Sequence, residues 1–191
     1  SVRVQLPPAA GAVFQPSPVW GDERIWTSLT NSHNPMMDQR GRVWYTARVR
    51  PANANPDFCK TGSDHPSAKA FPMDASGRQL SYYDPRTREY KFVDTCFSTH
   101  HLQLDANDVM WTGGGGQAPG WLDTKKFLAS GDAAASQGWT AFVLDTNGNG
   151  RRDAYVEPNQ PVDPTRDRRI NAPFYGVSPA PDGSGTPVQV G

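Results

Sequence analysis

The chain has 191 residues, and its 19 Lys plus Arg balance 19 Asp plus Glu, so the formal net charge is zero. That balance leaves no electrostatic footprint for nucleic acid or an anionic membrane surface, and no apolar run reaches the roughly 18–20 residues of a membrane span. Apolar residues make up 36%, but six Trp, eight Phe and six Tyr supply large burial per side chain, while 18 Gly and 18 Pro predict many short strands and turns rather than a helical bundle.

Taken in order, residues 1–18 are Pro-rich and predict an extended arm, and residues 19–191 predict one all-β unit. "SHNPMMDQRGRVWYT" (32–46) reads as strand, tight turn and strand. Residues 51–76 are a polar, Pro-rich insertion; within it Asp64 beside His65 is either a loop turn or an acid/base pair. "GRQLSYYDPRTREYKFVDT" (77–95) predicts a hairpin whose "DPRT" turn uses Pro to preset φ and Asp to hydrogen-bond its own backbone. It leads to an inner strand at His100, a "DAND" turn and the strand "VMWTG". A second insertion, 113–137, opens with "GGGG" (113–116), a flexible loop rather than a phosphate cradle, and carries one short helical pattern around "DTKKFLASGDAAA". "GWTAFVLDTNGNGRRDAYVEP" (138–158) predicts a further hairpin, with Leu144–Asp145 equivalent to Tyr83–Asp84, and 158–173 a third insertion. Cys59 and Cys96 lack metal or redox spacing; they stay free or form a disulfide, which implies an oxidising, extracellular or periplasmic compartment. The start at Ser1, without a signal-peptide pattern, fits a mature secreted chain or a fragment.

An internal repeat organises these elements. At an offset of 67, His33 meets His100, Met37 meets Leu104, Asp38 meets Asp105, Val43 meets Met110 and Trp44 meets Trp111. Backwards, "RIWTSLTNSH" (24–33) lies over "KFVDTCFSTH" (91–100). A weaker third copy starts at "FYGVSPAPDGS" (174–184): Tyr175 takes the histidine position and Thr186 the tryptophan position. Each unit holds about four antiparallel strands, the content of a propeller blade, so the expected fold is a partial β-propeller of about two to two and a half blades. Ring closure needs at least about four blades, so the remainder of a larger propeller or a homo-oligomer is expected to complete it.

Inner strands of a propeller converge near its axis, which would gather His33, His100 and Tyr175. Imidazoles there suit a divalent transition metal that polarises a carbonyl or activates water, unless each His serves only to join neighbouring blades. His101 adds a donor but is expected on the opposite strand face. Asp145, Asn147, Asn149 and Asp153 occupy positions 1, 3, 5 and 9 of an EF-hand-like loop, with Gly150 at position 6 and Val156 in place of the final acid; they predict either a Ca²⁺ site or a hairpin turn. Trp44 and Trp111 are expected to pack between blades, whereas Trp20, Trp121 and Trp139 could face a small molecule or a glycan.

On "DQRGRVWYT" (38–46) and "LDANDVMWT" (104–112) the chain resembles the streptogramin (virginiamycin B) lyase-like β-propellers, which repeat an inner strand, an Asp turn and a W-aromatic-T strand in every blade. The resemblance implies a metal-assisted elimination site at the channel, to which His33 and His100 correspond; Tyr175, at the third repeat position, is the expected acid of an enzyme acting there. The strings "NPDFC" (55–59), "GSDHPSAK" (62–69), "DTCF" (94–97), "THH" (99–101) and "LDTNGNG" (144–150) resemble large secreted bacterial proteins of propeller or carboxypeptidase-regulatory-like type. Two functions follow as expectations: a secreted binding module with structural calcium and a ligand-holding channel, or a metal-dependent lyase or hydrolase acting at His33 and His100.

Overall fold

The computed structural model describes residues 18, 31–48, 50–113, 116, 118–171, 174–182, 184 and 187–190. The Pro-rich arm other than Pro18, Trp20, the repeat residues 24–30 and the middle of the "GGGG" run lie outside the described residues. Two four-stranded antiparallel sheets follow one another, each in chain order. The first contains β1 (Asn31–Met37), β2 (Val43–Arg48), β3 (Arg78–Asp84) and β4 (Glu89–Val93). The second contains β5 (His101–Leu104), β6 (Val109–Gly113), β7 (Gly120–Asp123) and β8 (Gln137–Trp139).

The repeated Asp and Trp explain why the two sheets begin alike. In the β1–β2 turn, Asp38 Oδ1 accepts from the amides of Arg40 and Arg42, both at 2.9 Å, and Oδ2 accepts from Trp44 Nε1 at 3.0 Å. In the β5–β6 turn, Asp105 Oδ1 accepts from Asn107 N at 2.8 Å and Val109 N at 2.9 Å, and Oδ2 from Trp111 Nε1 at 3.3 Å. Each turn closes through a left-handed residue, Gly41 at φ 80° and Asp108 at φ 62°, a conformation open to Gly and tolerated by Asp. One carboxylate thus fixes the turn and anchors the indole six residues on.

The sheets pack face to face. Trp44, Leu80, Tyr82 and Val93 of the first meet Leu102, Met110 and Leu122 of the second. Trp44, Leu80, Leu102, Met110 and Leu122 are completely buried, and each such side chain contributes on the order of 1.5–3 kcal/mol relative to exposure. Residues about one repeat apart also meet in space: Gln39 Nε2 donates to the Ala106 carbonyl at 2.9 Å across 67 residues, and Leu102 N donates to Asn34 Oδ1 at 3.0 Å across 68. Trp44 fills the interface between sheets, but Trp111 is half-buried on the far face of the second sheet, tilted against Trp121 at 5.8 Å.

A two-stranded hairpin extends the series. The intervening small sheet comprises β9 (Val143–Leu144), β10 (Tyr155–Val156) and β11 (Asp167–Arg169); the hairpin comprises β12 (Gly176–Pro179) and β13 (Pro187–Val190). β12 lies beside β5 and β6, as β1 lies beside β5. Asp182 Oδ1 accepts from Ser184 N at 2.9 Å, the same turn chemistry as in the two sheets. The last paired residues are Pro179 and Pro187 here, against Met37 and Val43 or Leu104 and Met110 in the sheets. The connection is therefore two residues longer, and Val188 takes the place that Trp44 and Trp111 hold after the last pair; Thr186, expected there, lies outside the described residues.

Four expectations are corrected. The described residues contain two short α-helices, not one: α1 (Pro66–Ala70) forms inside the first insertion because His65 caps it and Pro66 occupies its first turn, and α2 (Thr124–Ser130) joins β7 to β8. The second insertion is more than a loop and a helix, since it also supplies β7, a strand of the second sheet, with Asp123 capping α2. The 138–158 segment is not a hairpin: β9 and β10 both flank β11, in the order β10–β11–β9, with β10 parallel to β11. Asp64 and His65 form no acid/base pair, because Asp64 pairs with Lys69 at 3.0 Å while His65 caps α1. Cys59 and Cys96 are bonded, both fully buried, and tie the first insertion to the segment between β4 and β5.

Candidate metal centre

The equivalent positions of the repeat meet at one place. His33 lies on β1, opposite Thr46, immediately before a bulge made by Asn34 (φ 48°) and Pro35. His100 precedes β5 and donates its amide to the Gly113 carbonyl at 3.2 Å, and His101 is paired with that same Gly113. Two residues opposite one is the arrangement of a bulge, which re-aims side chains. Strand alternation therefore does not separate the neighbouring histidines, and His101 joins the group instead of facing away. This corrects the expectation from period-two geometry.

His33 and His100 stack with ring centroids 4.7 Å apart and planes 16° apart. His101 meets both edge-on, at 5.5 Å from His33 and 4.5 Å from His100. One ring nitrogen from each of the three lies within 4.8 Å of the others. Tyr175, at the third repeat position, lies 5.3 Å from His100 and 4.4 Å from His101 by ring centroids. The backbone joint beneath the rings is made by Thr46, whose hydroxyl is 2.9 Å from both the His33 and the His100 carbonyl oxygens. Gly113 gives the hairpin its approach: a Cβ there would sit 1.9 Å from Phe174 Cε2, so only glycine admits that ring beside Tyr175.

The electrostatics favour neutral imidazoles. Burial, helped by His101, His33 and Arg78, pushes the His100 pKa down, and burial with His33 does the same to His101. A neutral imidazole is the form that ligates a metal. His101 Nε2 is buried without a hydrogen-bond partner among the described residues, a costly state for a polar atom. A metal would sit at about 2.0–2.1 Å from each nitrogen, and one ring nitrogen of each histidine lies within 4.8 Å of the others. Three histidines on one metal would leave coordination positions open for water or a ligand, as in catalytic rather than closed structural zinc sites. His33 is exposed and marks the solvent side; Tyr175, 62% exposed, forms its rim.

Of the other expected site residues, Trp139 is fully buried, donates Nε1 to the Phe71 carbonyl at 2.6 Å and stacks on His65 at 4.7 Å. It is a core residue and faces no ligand. Trp121 lies on β7, two strands from β5, half-buried over Gly138 and tilted against Trp111. Asp145, Asn147, Asn149 and Asp153 stay together in one exposed loop, apart from the histidine group. Thr46 escaped the sequence reading, although its place after "VWY" was a usable signal. No protein-family model, curated protein or solved structure matches this chain.

Proposed function

We propose that the chain is a β-propeller-type binding module of an oxidising compartment, in which two blades and a further hairpin bring inner-strand ends together around a divalent transition metal. The observation that carries this is the convergence of His33, His100 and His101, with ring nitrogens within 4.8 Å and one of them buried and unpartnered. The sequential sheets and the adjacency of β1, β5 and β12 support the propeller reading. The buried Cys59–Cys96 disulfide supports an extracellular or periplasmic setting, and no helix among the described residues is long and apolar enough to cross a membrane. The open positions of the metal would hold a small molecule or a glycan. Completion of the ring falls to further blades or further copies of the chain.

The test is calorimetric titration of the EDTA-treated chain with Zn²⁺, with Co²⁺ absorption as a geometric probe, and native mass spectrometry to count subunits. One ion per chain is expected, with affinity falling at least tenfold in H100A and in H101A while the far-UV spectrum is unchanged. Equal affinity in the variants overturns the site. A second reading, a metal-dependent lyase or hydrolase, is favoured by the exposed Tyr175 ring 4.4 Å from His101. It requires Zn²⁺-dependent turnover that Y175F reduces without weakening metal binding.

A further inference from the structure

We infer that the loop from Asp145 to Asp153, completed by Asp167 of β11, binds calcium. The loop is already wound around one carboxylate: Asp145 Oδ1 accepts from Gly148 N at 2.7 Å and Asn149 N at 3.2 Å, and Oδ2 from Gly150 N at 2.7 Å. Gly148 (φ 73°) and Gly150 (φ 71°) make the two left-handed steps that this winding needs. The carboxamides of Asn147 and Asn149 converge on Asp153, donating to its Oδ2 at 2.8 and 2.5 Å. Side-chain oxygens at alternate positions of one tight loop suit a hard cation that takes six to eight oxygen ligands. Rotation of the two amides by half a turn presents their oxygens in place of their NH₂ groups, at the cost of the bonds those oxygens accept from Asn149 N at 3.1 Å and Arg151 N at 2.8 Å.

An independent observation comes from outside the loop. The sequence lacks the final acid of such a loop, having Val156 there. The parallel pairing of β10 with β11 sets Asp167 opposite Tyr155. Asp167 is completely buried, its Oδ2 accepts from Asp153 N at 2.7 Å, and its Oδ1 has no hydrogen-bond partner among the described residues. The arginines of and beside β11 are engaged elsewhere: Arg166 donates to the Tyr155 carbonyl and Arg168 to the Pro158 carbonyl, and Arg169 pairs with Glu157; Arg151 and Arg152 of the loop itself are exposed. Buried carboxylates are ordinarily paired with a cation or bound to a metal. Asp167, fixed to the loop through Asp153, supplies the missing acid from a strand instead of from the twelfth position. The resulting set of carboxylates and amides contains no imidazole or thiolate, so it selects Ca²⁺ over the transition ions of the histidine site.

The experiment is a thermal melt and calorimetric titration of the full EDTA-treated chain with CaCl₂, and with MgCl₂ as the ionic-strength control. One site with a dissociation constant of about 10⁻⁴ M is expected, raising the midpoint in 5 mM Ca²⁺ by about 5 °C and by less in Mg²⁺. D167N should weaken Ca²⁺ at least tenfold. Because a buried substitution can unfold the chain, N147A/N149A in the exposed loop is the second variant; it should lose the Ca²⁺ shift while keeping the calcium-free midpoint. H33A/H100A/H101A should retain the full Ca²⁺ response. The proposal is overturned by the absence of a Ca²⁺ shift, by an equal shift in Mg²⁺, or by full retention of the shift in N147A/N149A.

Discussion

Replacing Gly113 by Ala tests whether the third hairpin truly abuts the histidine group. The added Cβ would lie 1.9 Å from Phe174 Cε2, 2.3 Å from Cζ and 3.1 Å from Cδ2. Carbon pairs are most favourable at about 3.5–4.0 Å, so the ring must retreat by roughly 1.5–2 Å. Phe174 is buried and packed edge-on against Phe142 at 4.3 Å, which leaves it little room. Overpacking of this kind costs about 1–3 kcal/mol, a fall in the melting midpoint of about 2–4 °C for each kcal/mol in a chain of this size. Urea unfolding of G113A, F174A and the double variant measures it. F174A alone should cost about 3–5 kcal/mol, and the double variant should cost less than the sum by at least about 1 kcal/mol, because a displaced ring has less to lose. Strict additivity, or a G113A protein as stable as its parent, refutes the contact and with it the position assigned to Tyr175.

The disulfide and one carboxylate give two further predictions. Cys59 and Cys96 are 37 residues apart in sequence, so the chain-entropy argument gives a loss of about 4 kcal/mol on reduction; melts with and without reductant check this, and an unchanged midpoint contradicts it. Hydrogen bonding from Arg86, with Arg42 adding charge, holds Asp84 well below its ordinary 3.8, at about 2. A depressed folded-state pKa gives stability that is complete above pH 3.8 and is lost as pH falls through about 2. In acid titration followed by fluorescence, D84N should therefore start less stable at neutral pH and show a shallower loss over that window; a slope equal to the parent's argues against the assignment.

The sequence made the first half of each sheet legible because the Asp turn and the Trp it anchors do the same physical job twice. Residues about one repeat apart then meet in space. The second half was harder. β7 and β8 are short, and α2 stands between them, so period-two alternation never ran long enough to show. The β9–β11 sheet was hidden for another reason: its pairing brings residues 155 and 167 together in parallel, which no turn signal announces. His33, His100 and Tyr175 were found through the repeat. His101 was misplaced because alternation assumes an unbroken ladder, and the bulge opposite Gly113 breaks it. Trp139 was misread as a ligand face because a hydrophobic residue outside the repeat gives no sign of which insertion will cover it.

The chain supplies its own comparison for what a structural histidine does. His65 uses both ring nitrogens: Nδ1 accepts from Ser67 N at 3.1 Å, Nε2 lies 3.0 Å from the Ala134 carbonyl, and the ring stacks on buried Trp139. Its type follows from its partners. The three repeat histidines are different, since no hydrogen bond from a described residue reaches their ring nitrogens, and their contacts are with one another and with Tyr175. The joint between the sheets is made by backbone carbonyls and Thr46, and it would survive replacement of the imidazoles. Burial lowers the basicity of His100 and His101, and no hydrogen bond from a described residue offsets that cost at their ring nitrogens. That asymmetry, within one protein and one residue type, supports the proposed metal site over a purely structural role for the histidine cluster.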